Sequence, residues 1–159
     1  MNTVTKFASN RNKGFSLIEL SFIIVLMGIL IAITVPRLGS DGVSTKRLEV
    51  TSKALATDLQ YARQLAISTK TTHYVYVDDF NNEFAVYESS VQASNIVKPA
   101  YSFNSSISVN GDDTFGFEAN GSIVVGSGTS IELDDAGDEW TISVVPATGS
   151  IKKEQTGGS

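Results

Sequence analysis

From Leu20 to Val35 the chain is apolar except for Ser21, Gly28 and Thr34, and this run constrains the N-terminal part more than any other feature. Counted from Phe15, 21 residues reach Val35. As a helix rising about 1.5 Å per residue they would extend roughly 31 Å, close to the ~30 Å hydrocarbon thickness of a bilayer. Residues Met1 to Gly14 before the run are polar and basic, with Lys6, Arg11 and Lys13, and offer nothing that could build a core. A secretory signal peptide also begins with a basic stretch before an apolar one, but it needs a small-residue cleavage site after the run. The end Ala32-Ile33-Thr34-Val35-Pro36 fits that requirement poorly.

Glu19 stands four residues after Phe15 inside this apolar segment. A charge at the centre of a membrane helix costs about 2.5–3.5 kcal/mol on insertion scales, and less near the end, so the carboxylate needs a reason. The sequence Lys13-Gly14-Phe15-Ser16-Leu17-Ile18-Glu19-Leu20 resembles the type III signal of prepilins. That resemblance implies a dedicated peptidase that cuts between Gly14 and Phe15 and methylates the new terminal amine on Phe15. It also gives Glu19 an assembly role: in pilin-like filaments the corresponding carboxylate is thought to pair with the terminal amine of an adjoining subunit. Such a pair attracts far more strongly in a low-dielectric helix bundle than in water, and an unpaired buried charge would be costly, so pairing favours axial register. The alternative is a tolerated charge at headgroup level on an uncleaved anchor.

Beyond the run, Pro36 and Gly39-Ser40-Asp41-Gly42 weaken a continuous helix and predict a bend or break. From about Val43 to Ser68 helical periodicity returns, with Leu48, Leu55, Leu59, Ala62 and Ala66 on one face. From Thr71 onward short β-like runs alternate with turn residues. The predicted strands are residues 73–77, 84–87, 107–109, 115–117, 123–125, 131–133 and 140–145. Asn81-Asn82, Asn110-Gly111, Asn120-Gly121, Gly126-Ser127-Gly128 and Ala136-Gly137 supply the turns between them. The expected fold is α+β and pilin-like: a long N-terminal helix, membrane-spanning in its first half and amphipathic in its second, packed on a C-terminal antiparallel sheet. Its parts are a leader at 1–14, a transmembrane or filament-core helix at 15–36, an amphipathic helix at 37–70, a periplasmic β domain at 71–152 and a flexible tail at 153–159.

The resemblance extends past the signal. Residues Ala54 to Ile67, followed by the strand-like Tyr74 to Val77, look like the helix-to-strand region of the GspH/FimT group of minor pseudopilins and minor pilins. More loosely, Phe117-Glu118-Ala119-Asn120-Gly121 and the stretch Ile142 to Ile151 resemble that group's glycine turns. The resemblance implies a minor pseudopilin of a type II secretion system, a structural subunit that initiates or caps a periplasmic pseudopilus for protein export. Its implied partners are other pilin-like subunits met through the N-terminal helix, the prepilin peptidase and an inner-membrane assembly platform. Its implied location is the bacterial inner membrane, single pass, with the C-terminal domain in the periplasm, and afterwards a periplasmic or surface filament. Pro36-Arg37 looks more like pilins of mannose-sensitive haemagglutinin pili, which keeps a pilus-priming minor pilin as an alternative. A filament-tip module that binds DNA or an exported substrate is a third reading.

Charge and residue chemistry disfavour other classes. Without Lys6, Arg11 and Lys13, 9 basic residues face 17 acidic ones, near −8, which makes nucleic acid an unlikely partner for the remaining chain. DNA-uptake members of the group are reported to use an arginine-bearing C-terminal stretch, where this chain has Lys152-Lys153. With no cysteine and a single histidine, His73, neither a thiol dyad nor a zinc site can be composed, and Gly-x-Ser-x-Gly is absent. No enzymatic activity and no cofactor or metal are expected. The turn Asp134-Asp135-Ala136-Gly137-Asp138-Glu139 offers the hard oxygen donors calcium prefers, without EF-hand spacing, and calcium binding there is left open; a charge run in a turn is more often a solvated loop. Trp140, Tyr74, Tyr76, Tyr87, Phe84, Phe115 and Phe117 are expected as core or cross-strand residues rather than a stacking platform.

Overall fold

The computed structural model describes residues 16–34 and 40–157, with the side chains of 33, 34 and 40–42 left aside. The chain divides into two units, 1–39 and 40–159. In the first, helix α1 runs Leu17–Thr34. In the second, helix α2 runs Ser40–Thr69 and is followed by eight strands: β1 His73–Asp78, β2 Glu83–Glu88, β3 Ile96–Ser102, β4 Ser108–Gly111, β5 Thr114–Phe117, β6 Ser130–Asp135, β7 Asp138–Val145 and β8 Ser150–Gly157. The junction that Pro36 marks lies outside the described residues.

Helix α2 forms because leucines and small residues recur on one stripe. Leu48, Leu55, Leu59, Ala62 and Ala66 are fully buried along it. Lys70 ends the helix in the left-handed region at φ 61°, and β1 starts three residues later. Small residues late on the stripe, Ala62 and Ala66, leave room for strands to approach closely.

The strands make two four-stranded antiparallel sheets, ordered β3-β2-β1-β5 and β4-β6-β7-β8. One twisted sheet was expected; the chain instead changes sheet at β4, returns at β5 and leaves again for β6. Helix α2 packs against strands of both sheets. The shared core takes Val75, Phe84, Val86, Phe115 and Phe117 from the first sheet and Ile131, Leu133, Ile142 and Val144 from the second. Phe84 stacks on Tyr101 at 5.0 Å between ring centroids and on Phe103 at 6.2 Å, which seals one end of the core.

Three further expectations need correction. Residues 123–125 do not form a strand: Ile123 makes one isolated bridge to Phe117, and Val125 is 96% exposed in a turn. Positive φ at Gly121 and Gly126 bends the chain on both sides of that apolar triplet. Strand β3 was not foreseen, because Pro99 interrupts it and its side chains are mostly exposed, as befits an edge strand. The tail is ordered as β8 through Gly157, since β7 offers it a full partner from Val145↔Ser150 to Glu139↔Gly157.

Candidate functional site

Ser16 and every described side chain of α1, from Leu17 to Ala32, are exposed. Leu17 is 87% exposed, and Phe22, Ile24 and Met27 stand out beside it. Gly28 has nothing within 4 Å of where a Cβ would sit. A helix that is apolar on all sides and covered on none requires lipid or other helices around it. As described, its 18 residues span about 27 Å. Among the described residues no helix is long and apolar enough to cross a membrane. Phe15 and Val35, the ends of the span expected from sequence, lie outside them.

Polar groups on α1 are few. Ser21 satisfies its hydroxyl within the helix by donating to the Ile18 carbonyl at 2.8 Å. Glu19 sits in the first turn, its amide donating to the Ser16 carbonyl at 3.0 Å and its side chain exposed. A carboxylate in the first turn complements the positive end of the helix dipole. Gly14 and Phe15, the expected processing pair, lie outside the described residues, so of the three expected site residues only Glu19 has a described position.

In the second unit the glycine turns quoted from sequence meet one another. Gly149, at φ 61°, comes so close to the chain at Gly121 that a Cβ on it would lie 1.9 Å from the Gly121 carbonyl oxygen. Arg63 on α2 donates from Nε to that same carbonyl at 3.2 Å, and the Ile123 amide donates to the Pro146 carbonyl at 3.0 Å. One helix side chain thus binds the turn between β5 and β6 and lies beside the turn between β7 and β8. Sequence reasoning noted the glycines but not their meeting; Arg63, the one cation in the last third of α2, was the available signal.

The acidic turn is not the solvated loop expected of it. Ala136 and Gly137, at φ 57° and 92°, form the two-residue hairpin turn between Asp135 and Asp138. Asp135 is buried and pairs with Arg47 of α2 at 3.4 Å, while Asp138 accepts a hydrogen bond from Thr45. These carboxylates hold the hairpin to the first turns of α2. Among the described residues no group of three or more His, Cys, Asp or Glu side chains converges to hold a metal. His73 is buried at the start of β1 with Nδ1 at 3.1 Å from the Thr71 carbonyl. Phe84, Phe115 and Phe117 are core residues. Trp140 is half-buried beneath Lys153, whose ammonium lies 3.9 Å from the ring centroid. Burial pulls the Lys153 pKa down from its ordinary value.

The comparisons agree with this arrangement. The prokaryotic N-terminal methylation motif matches residues 9–35, and the family described as type II transport protein GspH matches residues 51–148, from mid-α2 to the turn before β8. This chain belongs to the GspH family. The GspH match holds the Gly121 turn and most of the two sheets, and stops one residue short of Gly149. Solved structures share the pilin-like fold. The type IV minor pilin FimU of Pseudomonas aeruginosa strain PAO1 aligns in one crystal form with TM-score 0.56 and 19% identity over 69% of this chain and 90% of that one. A second crystal form of FimU gives 0.54 and 22% over 67% and 92%. The minor pseudopilin EpsH from the type 2 secretion system of Vibrio cholerae aligns with TM-score 0.54 and 10% identity over 70% and 99%. No curated sequence matches this GspH-family chain.

Proposed function

We propose that the chain is a minor pseudopilin of a type II secretion system, a structural subunit that initiates or caps a periplasmic pseudopilus. The observation that carries this reading is the pairing of an N-terminal methylation motif with a GspH domain in one chain. Cleavage falls between Gly14 and Phe15, Phe15 receives the methyl group, and the apolar segment from Phe15 to Val35 holds the protein in the inner membrane with residues 40–157 in the periplasm. On assembly the segment moves from lipid into a bundle of like helices, one apolar surrounding replacing another, so an assembly platform supplies direction rather than solvation. Glu19 then pairs with the terminal amine of a neighbouring subunit.

A second reading, a minor pilin that primes a type IV pilus, draws support from the fold shared with FimU and from Pro36-Arg37. Nucleic acid has less to hold. Of the two C-terminal lysines, Lys153 is engaged with Trp140 and with the Ser52 hydroxyl at 3.3 Å, leaving Lys152 exposed on β8.

Photo-crosslinking from the β domain in the native host separates the readings. Adducts with pseudopilins and secretion-platform proteins support the first; adducts with a major pilin and pilus-assembly proteins replace it with the second. Two substitutions test the N-terminal chemistry. Gly14 replaced by a bulky residue should leave the leader attached, and a normal mature mass would move the cut elsewhere. Glu19→Ala should permit insertion and processing but impair incorporation into filaments, and normal incorporation would remove the pairing argument.

A further inference from the structure

Helix α2 carries a second stripe besides the one that faces the core. Val43, Val50 and Thr57 recur every seven residues and Tyr61 follows one turn on, with Lys46 and Lys53 repeating at the same interval along one side. These side chains line an open trough whose far wall is the edge strand β3, with Val97 and Tyr101. From Val43 to Tyr61 the trough follows the helix for about 27 Å at 1.5 Å per residue. Its middle hollow holds about 500 Å³. Val43, Val50, Tyr61 and Val97 keep more than a third of their surface in water, an unusual density of exposed apolar side chains.

Two cations of the lining are already engaged within the domain. Arg47 pairs with Asp135, and Lys98 pairs with Asp58, which is 1% exposed and the sole acid in the lining. Lys46 and Lys53 stand exposed on the other flank of the stripe and make no ion pair among the described residues. Glu49, exposed beyond them on that flank, acts on Lys153 instead. Residues 40–157 carry 8 Lys and Arg against 16 Asp and Glu, so two unmatched lysines beside an apolar stripe are the exception on an acidic surface. An occupant complementary to both brings apolar side chains with carboxylates along one edge.

The shape of the trough selects a helix. An extended segment would need the outer edge of β3, where Pro99 lacks an amide and the pairing to β2 is irregular between Phe84 and Tyr87. An anionic lipid surface meets the lysines without filling a trough that β3 walls. A second copy does not supply the complement: its α2 would set Lys46 and Lys53 against their equals, and its α1 carries Glu19 as a single carboxylate. We infer that the trough seats an acidic amphipathic helix of an unlike protein, its apolar side chains against Val43, Val50 and Tyr61 and its carboxylates against Lys46 and Lys53. The seat is a helix-in-groove contact, read by anchors spaced along one helix face. The inference deepens the minor-subunit reading and rests on it only for where the partner is met, since a chain that begins or caps a filament joins an unlike neighbour on at least one face.

The test uses the full-length chain in its native host. A benzophenone amino acid replaces Val50, or the 96% exposed Val125 as the collision control, and the crosslinked peptide of each adduct is read by mass spectrometry. Val50 should give about tenfold more adduct than Val125, as expected of docked rather than colliding groups, and the joined peptide should be a helix with carboxylates flanking apolar residues. Lys46→Glu with Lys53→Glu should cut that yield about tenfold, and exchanging the partner's carboxylates for lysine should restore it. Because both lysines are exposed and outside any ion pair, the urea midpoint in detergent should stay unchanged, which separates lost docking from lost folding. Adducts with a second copy or with lipid alone, a yield equal to that from Val125, or a yield indifferent to charge reversal would overturn the inference. Filament incorporation is scored in the same cells. Normal incorporation without a charge-dependent adduct removes this inference alone; a charge-dependent adduct with an acidic helix of a protein outside any filament keeps it and removes the minor-subunit reading.

Discussion

Helices α1 and α2 stand in the same chain under opposite physical regimes. On α1 the apolar side chains from Leu17 to Ile31 are exposed, and nothing within the described residues covers them. On α2 Leu48, Leu55, Leu59, Ala62 and Ala66 gather on one stripe that is covered by two sheets of the same unit. The second helix is finished within its own unit, whereas every described side chain of the first is exposed. Hydrophobic content alone therefore does not report contribution to the stability of the fold; sidedness does.

Substitutions can break or sharpen that contrast. The largest effect is expected for Leu55→Ala or Leu59→Ala, about 3–4 kcal/mol off the unfolding free energy in detergent, followed by Trp140 fluorescence in urea. Leu26→Ala on α1 should change the same transition by about 0.5 kcal/mol or less, and a comparable loss would erase the distinction. Next is Gly149→Ala, which forces a methyl group into the Gly121 carbonyl at a positive φ and should cost about 2–3 kcal/mol. Lys98→Ala strips the buried Asp58 of its cation; with Lys98 itself 43% exposed and screened, a loss of about 2 kcal/mol is expected, partly recovered by adding Asp58→Asn.

The smallest effect is on acid stability. The Thr129 and Ser130 amides donate to Asp112 at 2.7 and 3.1 Å and hold its carboxyl below the usual carboxylate range; the Asn81 amides do the same for Asp78. A folded pKa below the unfolded one adds stability that is complete above about pH 4 and lost as pH falls through the lower folded values. Urea midpoints should fall over that acidic interval, and Asp112→Asn should flatten the fall; an unchanged slope would show that these turns contribute nothing.

The core of the fold was legible because its signals are local. The stripe Leu48, Leu55, Leu59, Ala62, Ala66 states a helix with one buried face, and Ala136-Gly137 states a hairpin. What escaped depends on partners distant in sequence. Strand β8, Ser150–Gly157, offers only Ile151 as a large apolar residue and exists as a strand because β7 pairs with it. Strand β3 is mostly exposed, interrupted by Pro99 and seated at an edge. Conversely Ile123-Val124-Val125 has strand composition without a strand, since the turns around it set its path. The division into two sheets is decided at Gly111 and Asp112, where the Asp112 amide and carboxylate bind the chain at residues 129 and 130 across the change of sheet. The site divides along the same line. Glu19 announces itself by being charged in an apolar run, whereas the close approach of Gly149 to Gly121 needs both turns in place before it exists.

Placement of β8 at the edge of the second sheet fixes an order of events during synthesis. Helix α2 can form early, but its stripe is covered only when both sheets are in place, and the second sheet is incomplete until residues 150–157 have been made. For that interval Leu48, Leu55 and Leu59 lie open to water on a nascent chain whose apolar α1 has already emerged. Long-range closure of this kind is slow and exposes surface that aggregates. Early capture of α1 by lipid would keep such half-made copies spaced apart in two dimensions, so the segment that contributes least to the finished domain would protect it most while it is being built.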